Sequence, residues 1–276
     1  MKVADYIISR LAEETDYIFQ VYGSASASLI DAFNYVDKPK LICGQHEQAC
    51  GFMAEGYTKS TGKLGVCIAT SGPGAMNLIT PIGNAFYDSF PMLCITGQVH
   101  SKFMRPNIQI RQRGFQETNI VEMVKGITKY AKCVMKSEDI KYELEKAIYL
   151  AKEGRPGPVF LDIPLDIQKE EIDPATLTGY TNFYYQRDTA SIRDFIETKL
   201  INDLASCKKP YILIGGGARS INNEYLHILL NKIKIPTSPT WNAIDIITDD
   251  FQYYVGRIGT YCGAGRNKAI KDCDVL

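Results

Sequence analysis

Several common kinds of functional site are missing from this sequence. Its eight cysteines form no C-x-x-C pair, and its three histidines (His46, His100 and His227) are too far apart in sequence to suggest a zinc site. Lys and Arg together number 31, as do Asp and Glu, so no net charge attracts nucleic acid or a membrane surface. No apolar run approaches the ~20 residues of a membrane-spanning helix, and the first residues lack the apolar core of a secretion signal. These absences predict a cytoplasmic protein without nucleic-acid or membrane partners.

The remaining composition is typical of a soluble globular protein, with 45% hydrophobic and 22% charged residues. A chain of 276 residues is long enough for one large domain or two ordinary ones. Cys67 and Cys94 lie inside apolar runs, which is typical of small buried side chains in a reducing cytoplasm.

Apolar runs alternate with helical patterns along the first part of the chain, which predicts a parallel α/β sheet flanked by helices. The predicted strands are Tyr17–Tyr22, Pro39–Ile42, Gly65–Thr70, Pro91–Thr96, Tyr130–Val134 and Pro158–Pro164. Ligand sites in such sheets form from loops at the carboxyl ends of the strands. The loops expected to converge there are Gly23–Ser28, Gln45–Glu47, Ser71–Asn77 and Gly97–Val99.

We predict a first domain over residues 1–172, a linker over 173–189 and a second, Rossmann-like α/β domain over 190–276. The linker has no clear period, and a strand at Tyr211–Ile214 opens a new strand–helix pattern. An apolar strand begins at Asp274–Leu276, so the second domain is expected to be partial.

Glu47 is the first candidate functional residue. It follows a short apolar run and opens a helix of small residues, where an ionised group is expensive to bury without a partner. Two interpretations are open. Glu47 is either a first-turn carboxylate stabilised by the free N–H groups of the helix, or a catalytic acid/base in a buried setting. The small residues Ala49, Gly51, Ala54 and Gly56 suit close helix packing, within one subunit or between two.

Two glycine-rich turns are candidate ligand contacts. Ser71–Gly74 joins a buried strand to a helix and is either a plain tight turn or a loop that contacts a ligand; it lacks the spacing of a phosphate-binding P-loop. Gly215–Gly217 follows a strand, but a dinucleotide fingerprint requires glycine where Ser220 stands. A tight turn is therefore the simpler interpretation of Gly215, Gly216 and Gly217.

The segment Arg111–Thr118 holds two arginines, an aromatic ring, two amides and a carboxylate in a stretch without obvious regular structure. Functional loops are common in such stretches. The segment is either a solvated loop or an anion-binding lid that contains Phe115 and Gln116.

Six motifs in order carry a resemblance to one family. They are Gln45–Ala49, Glu55–Tyr57, Ala69–Asn77, Ile95–Val99, Gly114–Thr118 and Gly154–Val159. Together they closely resemble the pyrimidine-binding domain of thiamine-diphosphate enzymes of the acetolactate synthase type, up to about Gln168. The rest, with Gly215–Gly217 and Gly256–Gly259, resembles part of the family's central domain, which holds FAD in some members.

The resemblance implies roles for individual residues. Glu47 would hydrogen-bond to the aminopyrimidine of thiamine diphosphate and relay its proton, and Gln116 would act with it. Thr70, Pro73 and Asn77 match positions that line the pyrimidine pocket, and Phe115 and Gln116 match the substrate loop. Ala25 and Ser26 stand where the family has a Pro-Gly-Gly turn, and because they are small they are expected to keep main-chain contacts to the cofactor. Gly215, Gly216 and Gly217 become an FAD contact.

The family binds Mg²⁺ and diphosphate through a Gly-Asp-Gly segment that this sequence does not contain. The diphosphate-binding domain is therefore expected to be absent, and the chain alone to be inactive, with no metal ligands of its own. The implied function is carboligation, in which pyruvate or another 2-oxo acid is decarboxylated and its acyl unit joins pyruvate, 2-oxobutyrate or another carbonyl. The alternatives are acyl transfer to a keto-sugar, simple decarboxylation and a non-catalytic binding module. Because family active sites lie between subunits, a homodimer or dimer of dimers is expected.

Overall fold

The computed structural model describes residues 1–104, 110–181, 189–221 and 223–276. The chain divides into two compact units, residues 1–182 and 183–276, which are described separately below. Part of the predicted linker, residues 182–188, lies outside the described residues. Within its described part, Lys141 donates a hydrogen bond to the carbonyl of Pro174 at 3.0 Å. The domain limits proposed from the sequence stay a prediction.

The first unit is built on a six-stranded parallel sheet with the order β2-β1-β3-β4-β6-β5. Its strands are β1 (Tyr17–Gln20), β2 (Lys40–Cys43), β3 (Gly65–Ala69), β4 (Met92–Gln98), β5 (Tyr130–Cys133) and β6 (Pro158–Pro164). All six lie within a few residues of their predicted positions. The predicted α/β class is confirmed.

Helices cover both faces of this sheet. They are α1 (Val3–Leu11), α2 (Ala27–Asp31), α3 (Glu47–Thr61), α4 (Pro73–Met76), α5 (Ile79–Asp88), α6 (Ile120–Val124), α7 (Ile140–Lys152) and α8 (Leu165–Lys169). Side chains of α1, α2, α7 and α8 form one apolar core with the sheet, and those of α3, α5 and α6 form the other. Strand β3 is buried along its whole length because Val66 and Ile68 point into the first core while Cys67 and Ala69 point into the second.

The small residues of α3 fall into two sets. Gly51 and Ala54 pack inside the unit, where a Cβ added to Gly51 would lie 2.4 Å from Cγ of Pro81 on α5. Ala49 and Gly56 are exposed. Close packing within the subunit therefore explains Gly51 and Ala54.

The second unit contains a parallel pair of strands, β7 (Ile212–Ile214) and β8 (Thr237–Pro239). Its helices are α9 (Thr189–Phe195), α10 (Ile201–Ser206), α11 (Asn223–Ile233) and α12 (Ala264–Lys271). Helix α11 crosses between the two strands as in a Rossmann-like unit. Val275, where a further strand was predicted to begin, forms a parallel bridge with Pro210.

Among the described residues, no helix combines the length and the apolar character that crossing a membrane requires.

Candidate active site

The candidate site lies where the sheet order reverses, between β1 and β3. From β1 the chain continues to β2 on one side, whereas from β3 it continues to β4 on the other. Ligands bind at such a reversal, outside the carboxyl ends of the strands. The loops after β1 and β3 meet here, since the backbone N–H of Ala25 donates to Oγ1 of Thr70 at 3.3 Å. This confirms the predicted convergence of these two loops.

Glu47 occupies the first turn of α3 at the same edge. The helix begins there because His46 adopts an extended backbone and its Nδ1 accepts a hydrogen bond from the N–H of Gln48 at 3.1 Å. Oε2 of the half-buried Glu47 accepts a hydrogen bond from Nδ2 of Asn77 at 2.9 Å. The structure thus joins the predicted residues Glu47 and Asn77 directly.

The second carboxylate oxygen of Glu47 faces a glycine. A Cβ added to Gly74 would lie 3.1 Å from Oε1 of Glu47 and 2.8 Å from Cγ2 of Thr70. Any larger residue would therefore press on two predicted cofactor contacts at once. Among the described residues no donor is bonded to this oxygen. Oε1 can accept a hydrogen bond from a ligand, while Asn77 holds the other oxygen in place.

The Ala25–Ser26 turn is fixed from two sides. Nε2 of Gln168 donates to the carbonyl oxygen of Ala25 at 2.8 Å and to that of Ile163 at 2.7 Å. Ser26 is fully buried, and its Oγ donates to the carbonyl of Gly23 at 3.1 Å. The N–H of Ala25 is used by Thr70, and the carbonyl of Ala25 also packs against Gly97, where an added Cβ would lie 1.9 Å from that oxygen.

Gln116 lies against the turn that contains Pro73 and Gly74. A Cβ on Gly72 would sit 2.4 Å from the carbonyl oxygen of Gln116, so only glycine lets the two backbones approach this closely. Gly72 has φ +60°, which glycine also adopts without strain. The predicted substrate residue is therefore next to the predicted pocket. Pro73 itself is exposed at the first position of α4.

The loop around Gln116 is folded on itself. The buried carboxylate of Glu117 accepts hydrogen bonds from the N–H groups of Arg113 (2.9 Å) and Gly114 (3.4 Å), and its own N–H donates to the carbonyl of Gly114 at 3.1 Å. Gln116 has φ +57°, which is uncommon for a residue with a side chain. Phe115 is 80% exposed and available to contact a substrate or another surface.

One buried polar residue behind this loop, Asp162, was not singled out in the sequence analysis. Asp162 on β6 is 2% exposed; its Oδ1 accepts from Oγ1 of Thr96 at 2.7 Å and its Oδ2 from Nε2 of Gln98 at 2.9 Å. The same Nε2 donates to the carbonyl of Thr118 at 2.9 Å. Burial raises the pKa of Asp162 to about 7, although these hydrogen bonds lower it. Asp162 could have been recognised from the sequence, because it is a carboxylate within the apolar run Val159–Ile163.

Comparison with known protein families gives two matches, one in the first part of the chain and one in the second. The N-terminal TPP-binding domain of thiamine pyrophosphate enzymes matches residues 1–123, and the central domain of the same enzymes matches residues 198–276. This chain belongs to the thiamine pyrophosphate enzyme family. The resemblance drawn from the six motifs is confirmed, and the site above lies in the domain that binds thiamine pyrophosphate in this family.

Among thiamine pyrophosphate enzymes, the curated relatives that match this chain include acetolactate synthases. The chain is 34% identical over 281 residues to chloroplastic acetolactate synthase of Arabidopsis thaliana. It is 33% identical over 284 residues to the large subunit of acetolactate synthase isozyme 2 of Escherichia coli strain K12. Both alignments include 100% of this chain but only 40% and 48% of the relatives. The chain thus spans less than half the length of these curated relatives.

The residues present fit the pyrimidine half of a thiamine pyrophosphate site. Glu47 offers an acceptor oxygen, and the glycine beside it leaves that oxygen accessible. No group of three or more His, Cys, Asp or Glu among the described residues could hold a metal ion.

The predicted FAD contact lies in the second unit, in the turn after β7. A Cβ on Gly215 or Gly217 would meet no described atom within 4 Å, whereas one on Gly216 would lie 3.1 Å from the carbonyl oxygen of Asn242. Open space beside two of the three glycines is compatible with a ligand but does not require one. The flavin contact stays a prediction.

Proposed function

We propose that this chain forms the pyrimidine-binding side of the active site in an acetolactate-synthase-like carboligase. One observation carries the proposal: Asn77 holds one oxygen of Glu47 while the other oxygen stays free of described donors beside Gly74. A carboxyl group held in this way can share a proton with a ring nitrogen of an aminopyrimidine and keep a fixed orientation as that proton moves. The similarity to acetolactate synthases over the whole chain supports the choice of reaction.

Each residue of the site has a separate task in this proposal. Glu47 holds and returns a proton at the cofactor ring, and Asn77 orients it. Thr70 and Pro73 line the pocket, and the main chain at Ala25 and Ser26 contacts the cofactor ring. Bound thiamine diphosphate supplies the nucleophilic carbon for decarboxylating a 2-oxo acid and passing its acyl unit to a second carbonyl. Gln116 and the exposed Phe115 contact that substrate.

Diphosphate and Mg²⁺ are held by groups outside the described residues in this proposal. The missing Gly-Asp-Gly segment and the lack of a described cluster of metal-binding side chains support this division. The 276 residues by themselves are then expected to bind the cofactor weakly and to turn over no substrate.

A product assay tests the reaction. The natural protein is incubated with pyruvate, Mg²⁺ and thiamine diphosphate. Acetolactate supports carboligation, acetaldehyde alone supports simple decarboxylation, and turnover only after a keto-sugar is added supports acyl transfer to that sugar. No turnover under any of these conditions contradicts the enzyme proposal and favours a binding module.

We also propose a homodimer, in which a second copy completes the site. Supporting it, apolar side chains on the outer faces of α3 to α5 are exposed, namely Phe52, Met76 and Tyr87. Light scattering with Phe52→Lys as the disrupting variant tests this: a dimer that the variant splits supports the proposal, and a wild-type monomer contradicts it.

FAD and a cytoplasmic location complete the proposal. FAD would contact Gly215–Gly217, and flavin absorbance that co-purifies with the protein and is lost in Gly217→Val would support it. All eight cysteines are free thiols in the structure, which suits a reducing cytoplasm.

A further inference from the structure

A buried chain of hydrogen bonds runs from β6, inside the sheet, to the substrate loop. It starts at the carboxylate of Asp162 on β6, passes through the side-chain amide of Gln98 on β4 and ends at the carbonyl of Thr118. Thr118 is two residues from Gln116. The chain connects the rigid core of the first unit to the residue that the proposed function places against the substrate.

The amide of Gln98 has each of its polar groups in use. Oε1 accepts the N–H of Val99 at 3.0 Å, and the two hydrogens of Nε2 go to Thr118 and Asp162, both at 2.9 Å. Turning the amide over would place its oxygen against two acceptors and its nitrogen against a donor. The arrangement therefore has one low-energy orientation, which requires an accepting oxygen at residue 162.

The substrate loop needs such an anchor. A residue other than glycine at positive φ is strained and persists only where its surroundings impose that conformation. Gln116 is held on one side by Gly72 and on the other by the anchored Thr118. The bond from Gln98 ties the Thr118 end of this loop to the sheet, in addition to the hydrogen bonds within the loop and its contact with Gly72.

We propose that Gln98 and Asp162 are positioning residues, which hold Thr118 and thereby set the conformation of Gln116 beside the cofactor pocket. The inference rests on the proposed function only for what Gln116 does; the coupling itself is a property of the fold. A charged acceptor makes the bond from Gln98 stronger than a neutral one would. The bond therefore weakens when Asp162 takes up a proton.

The surroundings of Asp162 leave it the main group that titrates here near neutrality. Cys133 on the neighbouring strand β5 faces it, and burial together with Asp162 raises the pKa of that thiol well above its usual range. Thr96 and Gln98 on β4 are neutral donors. Among the described residues no Lys, Arg or His forms an ion pair with Asp162.

Amide hydrogen exchange tests the coupling directly on the 276-residue protein. The reporter is the N–H of Glu117, bonded to the Gly114 carbonyl, and the amides of β3 serve as the internal reference. Gln98→Met keeps the side-chain length but removes both donated bonds. We expect protection of the Glu117 amide to fall at least about tenfold while β3 is unchanged. Unchanged protection of Glu117 would overturn the proposal.

Asp162→Asn supplies a second, independent variant. Its amide oxygen still accepts from Gln98 while its nitrogen turns to Thr96 Oγ1, so the loop stays ordered but loses its response to pH. In the wild type, protection of Glu117, corrected for intrinsic exchange, is expected to be greater at about pH 8 than at about pH 6. The matched control is Glu143→Gln, a buried carboxylate on α7 bonded to Tyr130, which keeps the wild-type response. A pH response that survives in Asp162→Asn contradicts the role of Asp162.

Kinetics connect the loop to the reaction. In the pyruvate assay, Gln98→Met should lower kcat about tenfold and leave the affinity for thiamine diphosphate nearly unchanged. An unchanged kcat together with a loosened loop overturns the positioning role. A wild-type protein with no turnover contradicts the proposed function instead, and the exchange experiment still decides the coupling.

Discussion

Helix α3 carries two glutamates that each accept hydrogen bonds from an asparagine, but the two carboxylates differ in how completely they are bonded. In its first turn Glu47 accepts a hydrogen bond from Asn77, and two turns later Glu55 accepts hydrogen bonds from Asn84 on both oxygens, at 2.7 and 2.9 Å. Glu55 is 2% exposed and also forms an ion pair with Lys59. Partial burial lowers the pKa of Lys59. The interactions of Lys59 with Glu55 and Asp88 outweigh burial, so the pKa of Lys59 is raised.

The difference between the two carboxylates lies in what remains available. Glu55 has a partner on each oxygen and a cation beside it, so it is a structural group that ties α3 to α5. Glu47 is half-buried, and one of its oxygens has no described donor. A carboxylate that is oriented but not fully satisfied is suited to proton transfer, whereas a satisfied one contributes to stability.

Glu47→Gln is the sharpest test of this comparison and has the largest expected effect. Glutamine keeps the shape and the bond to Asn77 but cannot take a proton from the cofactor ring. We expect turnover of the natural protein to fall by about 10³-fold, within the usual range for removing a general acid/base. Stability in urea should change by less than about 1 kcal/mol, since no buried charge is lost. Near-wild-type turnover would refute the proton-transfer role.

Glu55→Gln should show the opposite pattern. The substituted amide brings its own donors towards those of Asn84 and Lys59, so at least one buried hydrogen bond is lost. We expect the free energy of unfolding to drop by about 2–3 kcal/mol. The affinity of the folded protein for thiamine diphosphate should stay as in the wild type. Urea denaturation and calorimetric titration measure the two quantities, and a large loss of affinity at unchanged stability would break the comparison.

Asp162 extends the comparison to a carboxylate with neutral donors and no described cation. Its pKa of about 7 lies above the ordinary value of 3.8, so the folded protein binds this proton more tightly than the unfolded chain. Stability therefore falls as pH rises from about 4 to about 7, by roughly 1.4 kcal/mol per unit in the middle of that range. Relative to Asp162→Asn, the wild type should lose about 2–3 kcal/mol between about pH 5 and pH 7. Urea denaturation of both proteins at the two pH values measures it, and parallel profiles would contradict the expectation.

Two glycines give the smallest and most local test. Gly74→Ala forces Thr70 and Glu47 apart and should lower stability by about 1–2 kcal/mol while weakening binding of thiamine diphosphate. Gly56→Ala on α3 meets no described atom within 4 Å and should raise stability by about 0.5–1 kcal/mol, because alanine loses less backbone freedom in a helix. Thermal unfolding of both variants measures this. A neutral Gly74→Ala would mean that Glu47 can shift without loss.

The sequence was sufficient for the sheet and for the part of the site that follows its strands. Apolar runs predicted all six strands, and the parallel order then required Ala25, Glu47 and Thr70 to meet at one edge. It was insufficient where a contact depends on side chains far apart in the chain. Gln168 and Asp162 are single polar residues near apolar runs, and nothing local indicates that they bond to Ala25 and Gln98. The sequence also did not indicate which small residues of α3 are buried. Gly51 and Gly56 are the same residue in the same helix, and only the packing of Pro81 against Gly51 distinguishes them.

The hydrogen bond between Gln168 and Ala25 has a consequence for the order of folding. It joins residues 143 positions apart, so the turn predicted to hold the pyrimidine cannot take its final form until β6 and α8 have been synthesised and added. Contacts of such long range close late, because the entropy of loop closure is lost before the contact forms. Glu47 and Asn77 are both synthesised before Gln168, so Ala25 still lacks its partner after they have been made. The contact that fixes the Ala25 turn is thus supplied by Gln168, the most C-terminal residue of the site.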